Sequence, residues 1–327
     1  MPVNKSSKNG GSKMDEVVGR FAPTPSGYAH IGNLFCFLLA WLSVKKQNGK
    51  IVLRMEDLDT QRTSVELANE TMEDLRWLGL TWDYGPGLTH DSTQYYQSKR
   101  SSIYMGFFDQ LKEKGFSYPC YCSRTDVKNA NAPHLSDGRI VYPGTCKNLA
   151  PDQQVRLSRS RAPAWRLSVN DEIITFVDRL QGTYSQNLLR ECGDFPIRRA
   201  DGVFCYQLAV IIDDALMGVN EVVRASDLLS STPQQIYLYK LLGFPVPEFI
   251  HIPTVLDAQG KRLAKRDRNI SLHDLKGKYT REEILGRLAY MANLQTDIIP
   301  RTLDDLLDMF CWNKVRRGDI YLPPDLF

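Results

Sequence analysis

The sequence predicts an α/β fold: a doubly wound parallel sheet, interrupted by an inserted irregular segment and followed by a small helical C-terminal region. Three observations predict it. An apolar strand pattern at 16-EVVGRF-21 turns helical across 29–47 and returns to strand at 51-IVLRMED-57. Such a strand–helix–strand unit implies parallel pairing through a right-handed crossover. A second run of helix, strand, helix and strand occupies 203–256. Between the two, 123–162 is rich in Ser, Asn, Pro, Arg and Gly with little periodicity, as an insertion held by something other than a core would be.

Taken in order, 29-AHIGNLFCFLLAWLSVKKQ-47 reads as a mostly buried helix, with Asn48–Gly49 as its stop. A polar-faced helix is predicted at about 63–78 and another across 94–115. Alternation resumes at 165-WRLSV-169, and Asp201–Gly202 mark a tight turn. The stretch 203-VFCYQLAVIIDDAL-216 predicts a helix, and 219–244 a strand and a helix. A last strand, 250-IHIPTVL-256, runs into the polar loop 257-DAQGKRLAKRDRN-269; two short helical patterns follow, at 280–294 and 302–310.

At 327 residues the chain is long enough for a full enzyme core, with about two domains as a prior. No apolar run approaches the roughly 20 residues of a membrane-spanning helix. Residues 1–14 read as a flexible polar tail without the apolar region of a signal peptide, with Met14 as a candidate start. A net charge of +3 permits a polyanionic partner without demanding one. Seven cysteines, an odd number without a secretion signal, suit the reduced thiols of a cytoplasm.

Two prolines and two glycines separate the first strand from its helix in 23-PTPSGYAHIG-32. A Gly-rich turn entering a helix gathers backbone N–H groups and the positive end of the helix dipole, which makes an anion site suited to phosphate. Neither a P-loop nor a GxGxxG pattern is present. His30, in the first helical turn, is placed either to donate to a phosphate oxygen or simply to cap the helix.

The context narrows this. Residues 20-RFAPTPSGY-28 with 30-HIGN-33 resemble the first signature of class I aminoacyl-tRNA synthetases in their glutamyl form. The stretch 53-LRMEDLDTQR-62 is similar to that family's Arg-x-Glu-Asp-x-Asp-x-x-Arg, and 203–235 resembles the strand and helix around its amino-acid pocket. A fourth match, 260-GKRLAKR-266, resembles the mobile lysine loop, so the likeness runs over about residues 16–270 in the family's order. Asn33 replaces the second histidine of the first signature but keeps a donor amide, and Ala264 replaces a serine beside Lys265.

The resemblance implies a Rossmann-like catalytic domain in two halves, 15–117 and 163–245, with a zinc-binding insertion at 118–162. A lysine-loop and helical region at 246–327 completes it, without an anticodon-binding domain. The reaction implied is attack of a carboxylate on the α-phosphorus of ATP, with His30 and Lys265 stabilising phosphate charge, Asn33 helping to bind ATP, and Mg2+ accompanying it. By the same resemblance Arg20 and Arg224 grip glutamate carboxylates, Glu56 receives the α-ammonium, Tyr206 adds a hydroxyl, and Ala22 and Thr24 line the pocket. An ion pair between neighbouring strands is the plainer reading of Arg20 and Glu56.

Cys120, Cys122 and Cys146 bracket the irregular insertion at a spacing that suits tetrahedral Zn2+. His134 is the fourth ligand that chemistry suggests first; resemblance to shortened glutamyl synthetases, with Cys-x-Cys…Tyr-x-x-x-Cys, selects Tyr142. Cys36 and Cys205, in apolar helical surroundings, read as plain core.

Only 61 residues follow Arg266, fewer than the ~100–150 of a typical further domain. The expectation is therefore similarity to the glutamyl-queuosine tRNA(Asp) synthetases, which resemble the catalytic half alone, activate glutamate without tRNA, and attach it to queuosine in the anticodon of tRNA(Asp). The alternatives are a minimal glutamyl-tRNA synthetase acting on the 3′ ribose, a nucleotidyltransferase of the same His-x-Gly fold, and a catalytically lapsed tRNA-binding module.

Overall fold

The structure, a computed structural model, describes residues 16–88, 92–129, 140–261, 263, 271–323 and 325–327. The first unit forms as its pattern dictates. Strand β1 (Val18–Phe21), helix α1 (Ile31–Lys46) and strand β2 (Lys50–Leu53) are joined so that β1 and β2 pair in parallel, Val18 opposite Lys50. Helix α1 is apolar around its circumference because it is covered on all sides, from Ile31 through Val44. Asn48, at φ 56°, takes the left-handed position after the helix, and Gly49 serves a different need: a Cβ there would overlap the Val17 carbonyl. Helix α2 (Val65–Leu78) is capped by the Ser64 hydroxyl and stopped by Gly79 in the left-handed region.

The helix expected from residue 94 begins only at Ser101 and runs to Glu113 as α3, after two short turns at Thr93–Tyr95 and Gln97–Lys99. Competing bonds explain the delay. Met55 N–H donates to the Tyr95 carbonyl, Gln97 N–H to the Met55 carbonyl, and Ser98 gives both N–H and hydroxyl to Asp57, so this backbone follows β2 rather than an α-helical ladder.

The middle of the chain holds more structure than its composition suggests. In order come β3 (Ser117–Cys120), α4 (Arg124–Asn129), α5 (Pro151–Ser158), β4 (Ala164–Leu167), β5 (Ile173–Asp178), β6 (Gly182–Asn187), α6 (Leu188–Glu191) and β7 (Phe195–Arg198). Strands β3, β4 and β7 form an antiparallel sheet, and β5 with β6 a hairpin. Helix α5 buries no residue, which is why no apolar period announced it.

Helix α7 (Tyr206–Leu216), strand β8 (Glu221–Ala225), helix α8 (Thr232–Leu242) and strand β9 (Glu248–Ile252) repeat the opening plan, with β8 and β9 parallel and Arg224 opposite His251. The Asn220 N–H donates to the Val18 carbonyl where β1 and β8 lie side by side, so the strands follow one another as β2, β1, β8, β9. The two connections leave this centre in opposite directions, and the crevice between β1 and β8 opens at their carboxyl ends. The last elements are β10 (Val255–Leu256), α9 (Leu272–Leu275), α10 (Arg281–Met291), α11 (Leu303–Met309) and β11 (Ile320–Tyr321), the last pairing with β10. Among the described residues no helix is long and apolar enough to cross a membrane.

Candidate active site

A cavity of ≈ 550 Å³ occupies that crevice. Arg20 enters it from β1, Ala22 and Thr24 from the loop after β1, His30 and Asn33 from the start of α1, Glu56 from beyond β2, Tyr206 from α7 and Arg224 from β8. Every described residue expected to bind glutamate or ATP therefore lines one space. Lys265, Ala264 and His134 lie outside the described residues.

His30 is the N-cap of α1. Its Nδ1 accepts the Gly32 N–H at 3.1 Å, while Asn33 Oδ1 accepts the His30 N–H at 3.3 Å. The capping reading of His30 holds, and the residue also lines the cavity. An accepting Nδ1 puts the ring hydrogen of neutral histidine on Nε2, and an accepting Oδ1 leaves the Asn33 amide as a donor. Gly32 sits against the His30 ring, so a larger residue would push the ring aside.

Both cavity arginines are buried, Arg20 at 7% and Arg224 at 4% exposure. Arg20 Nη1 donates to the Val223 carbonyl at 2.9 Å, and its Nε, without a hydrogen bond, faces Asp214 Oδ1 at 3.9 Å. The ion pair between Arg20 and Glu56 is not formed; Glu56 Oε1 instead lies 3.1 Å from Arg54 Nη2. Burial pushes the Glu56 carboxyl above its ordinary range, with Arg54 and Arg20 pulling it back. Burial likewise raises the Tyr206 phenol and lowers the Arg224 guanidinium.

Behind the cavity lies a charged layer that the motif reading left without a role. Arg54, fully buried, places Nη1 2.7 Å from Asp214 and Nε 3.7 Å from Asp213. Asp213 also accepts from Arg100 at 2.6 Å, Gln97 at 2.8 Å and Tyr104 at 2.8 Å. This holds Glu56 from below and ties it to the start of α3. The available signal was the pair of aspartates inside the apolar run 208-LAVIIDDAL-216, since buried carboxylates demand partners.

The cysteine readings divide. Cys36 is not plain core: it lines the cavity, donates its thiol towards the Val223 carbonyl at 3.7 Å, and is pushed up to about 11 by burial. Cys205 is half-buried at the N-cap of α7 and also pushed up to about 11 by burial. Cys120, Cys122 and Cys146 do converge, their sulfurs all within 4.8 Å of one another and those of Cys122 and Cys146 at 3.6 Å. Sulfurs bound tetrahedrally at ~2.3 Å stand about 3.8 Å apart. Tyr142 Oη lies 3.4 Å from the Cys120 sulfur and 3.6 Å from that of Cys122. The donor set therefore fits a tetrahedral cation. Among the described residues only Cys120, Tyr142 and Cys146 form the buried cluster here, with a few half-buried neighbours, a small apolar surface for an insertion to fold on.

Comparison with known proteins agrees with this geometry. The family model described as tRNA synthetases class I (E and Q), catalytic domain, matches residues 16–295. A glutamyl-Q tRNA(Asp) synthetase of Nitratidesulfovibrio vulgaris is 42% identical over 95% of this chain and 97% of its own length; one from Symbiobacterium thermophilum is 42% identical over 94% and 97%. A glutamate–tRNA ligase of Sulfurihydrogenibium sp. is 39% identical over 79% of this chain but 54% of its own. Among solved structures, a glutamate tRNA ligase from Elizabethkingia meningosepticum, in complex with its amino acid, superposes with a TM-score of 0.79 at 25% identity, covering 95% of this chain and 68% of that one. The chain belongs to the class I tRNA synthetases of the E and Q type, among relatives that carry the name glutamyl-Q tRNA(Asp) synthetase.

Proposed function

We propose that this chain activates L-glutamate with ATP, without needing tRNA, and transfers it to the queuosine in the anticodon of tRNA(Asp). The observation that carries the reading is one cavity that gathers two buried guanidinia, Arg20 and Arg224, with Glu56 beside the His30-capped start of α1. The full-length likeness to glutamyl-Q tRNA(Asp) synthetases favours queuosine over the 3′ ribose as acceptor.

Arg20 and Arg224 hold glutamate carboxylates, and Glu56 receives the α-ammonium, steadied from below by Arg54. Tyr206 supplies a hydroxyl, and Ala22 and Thr24 shape the wall. An α-carboxylate oxygen attacks the α-phosphorus; the bond to pyrophosphate breaks, leaving glutamyl-adenylate. A queuosine hydroxyl then attacks the acyl carbon and AMP departs. His30 and Asn33 donate to phosphate oxygens at the positive end of α1, and Lys265 joins them from the loop. Mg2+ accompanying ATP neutralises phosphate charge. Cys120, Cys122, Cys146 and Tyr142 hold one structural Zn2+, with Tyr142 preferred to His134.

Glutamate-dependent ATP–pyrophosphate exchange without tRNA tests the first step; no exchange sinks the reading. Labelled glutamate is then expected on queuosine-bearing tRNA(Asp) and not on its queuosine-free form. Label on the 3′ ribose of a glutamate tRNA would establish the charging reading instead. For the metal, analysis of the parent chain is expected to find one zinc per chain and Cys120→Ser to lose it; zinc retained at full stoichiometry in the variant removes Cys120 from the ligand set.

A further inference from the structure

Arg224 is held from three directions. Its Nη1 donates to Gln235 Oε1 at 2.7 Å, its Nη2 to Thr232 Oγ1 at 2.8 Å, and its Nε to His251 Nε2 at 3.0 Å. One N–H remains on each Nη, enough for one bidentate carboxylate. His251 is fully buried, and its Nδ1 lies 2.6 Å from Asp178 Oδ2. Asp178, at the end of β5, also accepts backbone N–H groups from Leu180 at 3.0 Å, Gln181 at 2.8 Å and His251 at 3.0 Å.

A carboxylate so supplied with donors stays ionised, and the His251 side chain and these N–H groups hold it below the usual carboxylate range against burial. The ring proton of His251 must then sit on Nδ1, which leaves Nε2 as a lone pair. A guanidinium only donates, so that lone pair is what Arg224 needs, and the Thr232 hydroxyl, 3.1 Å from the same nitrogen, can donate to it as well. A doubly protonated ring would set N–H against N–H. Burial, with Arg224 and Arg20 facing the ring against the single carboxylate of Asp178, keeps it neutral.

We infer that Asp178 and His251 form a positioning unit for Arg224: Asp178 selects the histidine tautomer, and His251 fixes the plane in which the guanidinium presents its remaining N–H groups to a substrate carboxylate. This rests on Arg224 binding glutamate as proposed above. His251 and Asp178 stand outside the cavity lining; they are positioning residues, not catalytic ones.

The test is exchange kinetics on the full chain with three variants. His251→Gln places an amide oxygen near the lost Nε2 and is expected to keep the glutamate KM within about threefold of the parent. His251→Leu and His251→Asn, which offer Arg224 no acceptor at that reach, are expected to raise it about tenfold or more. The ATP KM and the kcat at saturating glutamate stay within about threefold throughout, the signature of a binding group displaced rather than a fold damaged. Parental glutamate KM in His251→Asn, or equal losses in all three variants, overturns the inference. A second measurement needs neither variants nor turnover: nitrogen-15 shifts of the His251 ring at neutral pH are expected to report the Nδ1–H tautomer, and the Nε2–H form overturns the pairing. Absence of exchange in the parent chain would remove the proposed reaction, while the tautomer still decides the pairing.

Discussion

At the scale of single residues, Arg54 shows how a site is built from behind. It reaches three carboxylates, Asp213, Asp214 and Glu56, from a fully buried position. Arg54→Met would leave these acids without their shared cation, and breaking a buried pair from one side typically costs about 3–5 kcal/mol. Urea unfolding is expected to show a loss of that size; a change below about 1 kcal/mol would mean that the acids are otherwise satisfied. The motifs made Arg20, Glu56, Tyr206, Arg224, His30 and Asn33 legible, because each sits at a fixed offset from a recognisable strand or turn. Arg54 stood in the Arg-x-Glu-Asp motif and Asp213 in an apolar run that demanded a partner, yet neither signal named the partner, and Asp178 and His251 carried no mark at all. Their partners are far along the chain, 160 residues from Arg54 to Asp214 and 73 from Asp178 to His251, and no local pattern records that.

At the scale of elements, the turn out of α1 makes a sharp case. The Val17 carbonyl accepts the Lys50 N–H at 2.8 Å, and the Gly49 N–H donates to the Val44 carbonyl at 2.9 Å. A Cβ on Gly49 would strike that carbonyl, which cannot swing away without breaking the first bond of the β1–β2 pair. Gly49→Ala is therefore expected to destabilise by about 1–3 kcal/mol, read as a lower Tm, whereas an unchanged Tm would show that the strand shifts freely. The sequence marked Asn48–Gly49 as a stop, yet Asn48 carries the left-handed backbone and Gly49 the close approach. Helix α2, with one buried face, was readable from periodicity, and α1, covered on all sides, from the length of its apolar run. Helix α5 and the β5–β6 hairpin were not: the first has no buried face, and the second sets Ile173 and Val177 outward, blurring its alternation. The delayed start of α3 depended on Asp57, far from any helix signal.

For the molecule as a whole, buried titrating groups shape stability against pH. Burial lowers His251 from 6.5 to about 4, so the unfolded chain binds a proton that the folded chain refuses between those values. Its contribution is complete above about pH 6.5 and is lost as pH falls through about 4, at up to about 1.4 kcal/mol per pH unit. Asp178, also depressed, extends that loss to lower pH, while Glu56, raised by burial, works the other way. Unfolding midpoints at about pH 7, 5.5 and 4.5 are expected to fall along this series, and less steeply in His251→Gln; parallel slopes would acquit the histidine. One last arrangement bears on the loop that carries Lys265. Before it, β10 is pinned to β11, and Thr254 and Val255 line the cavity; after it, Ser271 bridges to His30 and Leu272 N–H donates to the Ala29 carbonyl at 2.9 Å. Two stretches distant in sequence from β1, 254–255 and 271–272, are thus tied to one opening, so a shift in either alters its width.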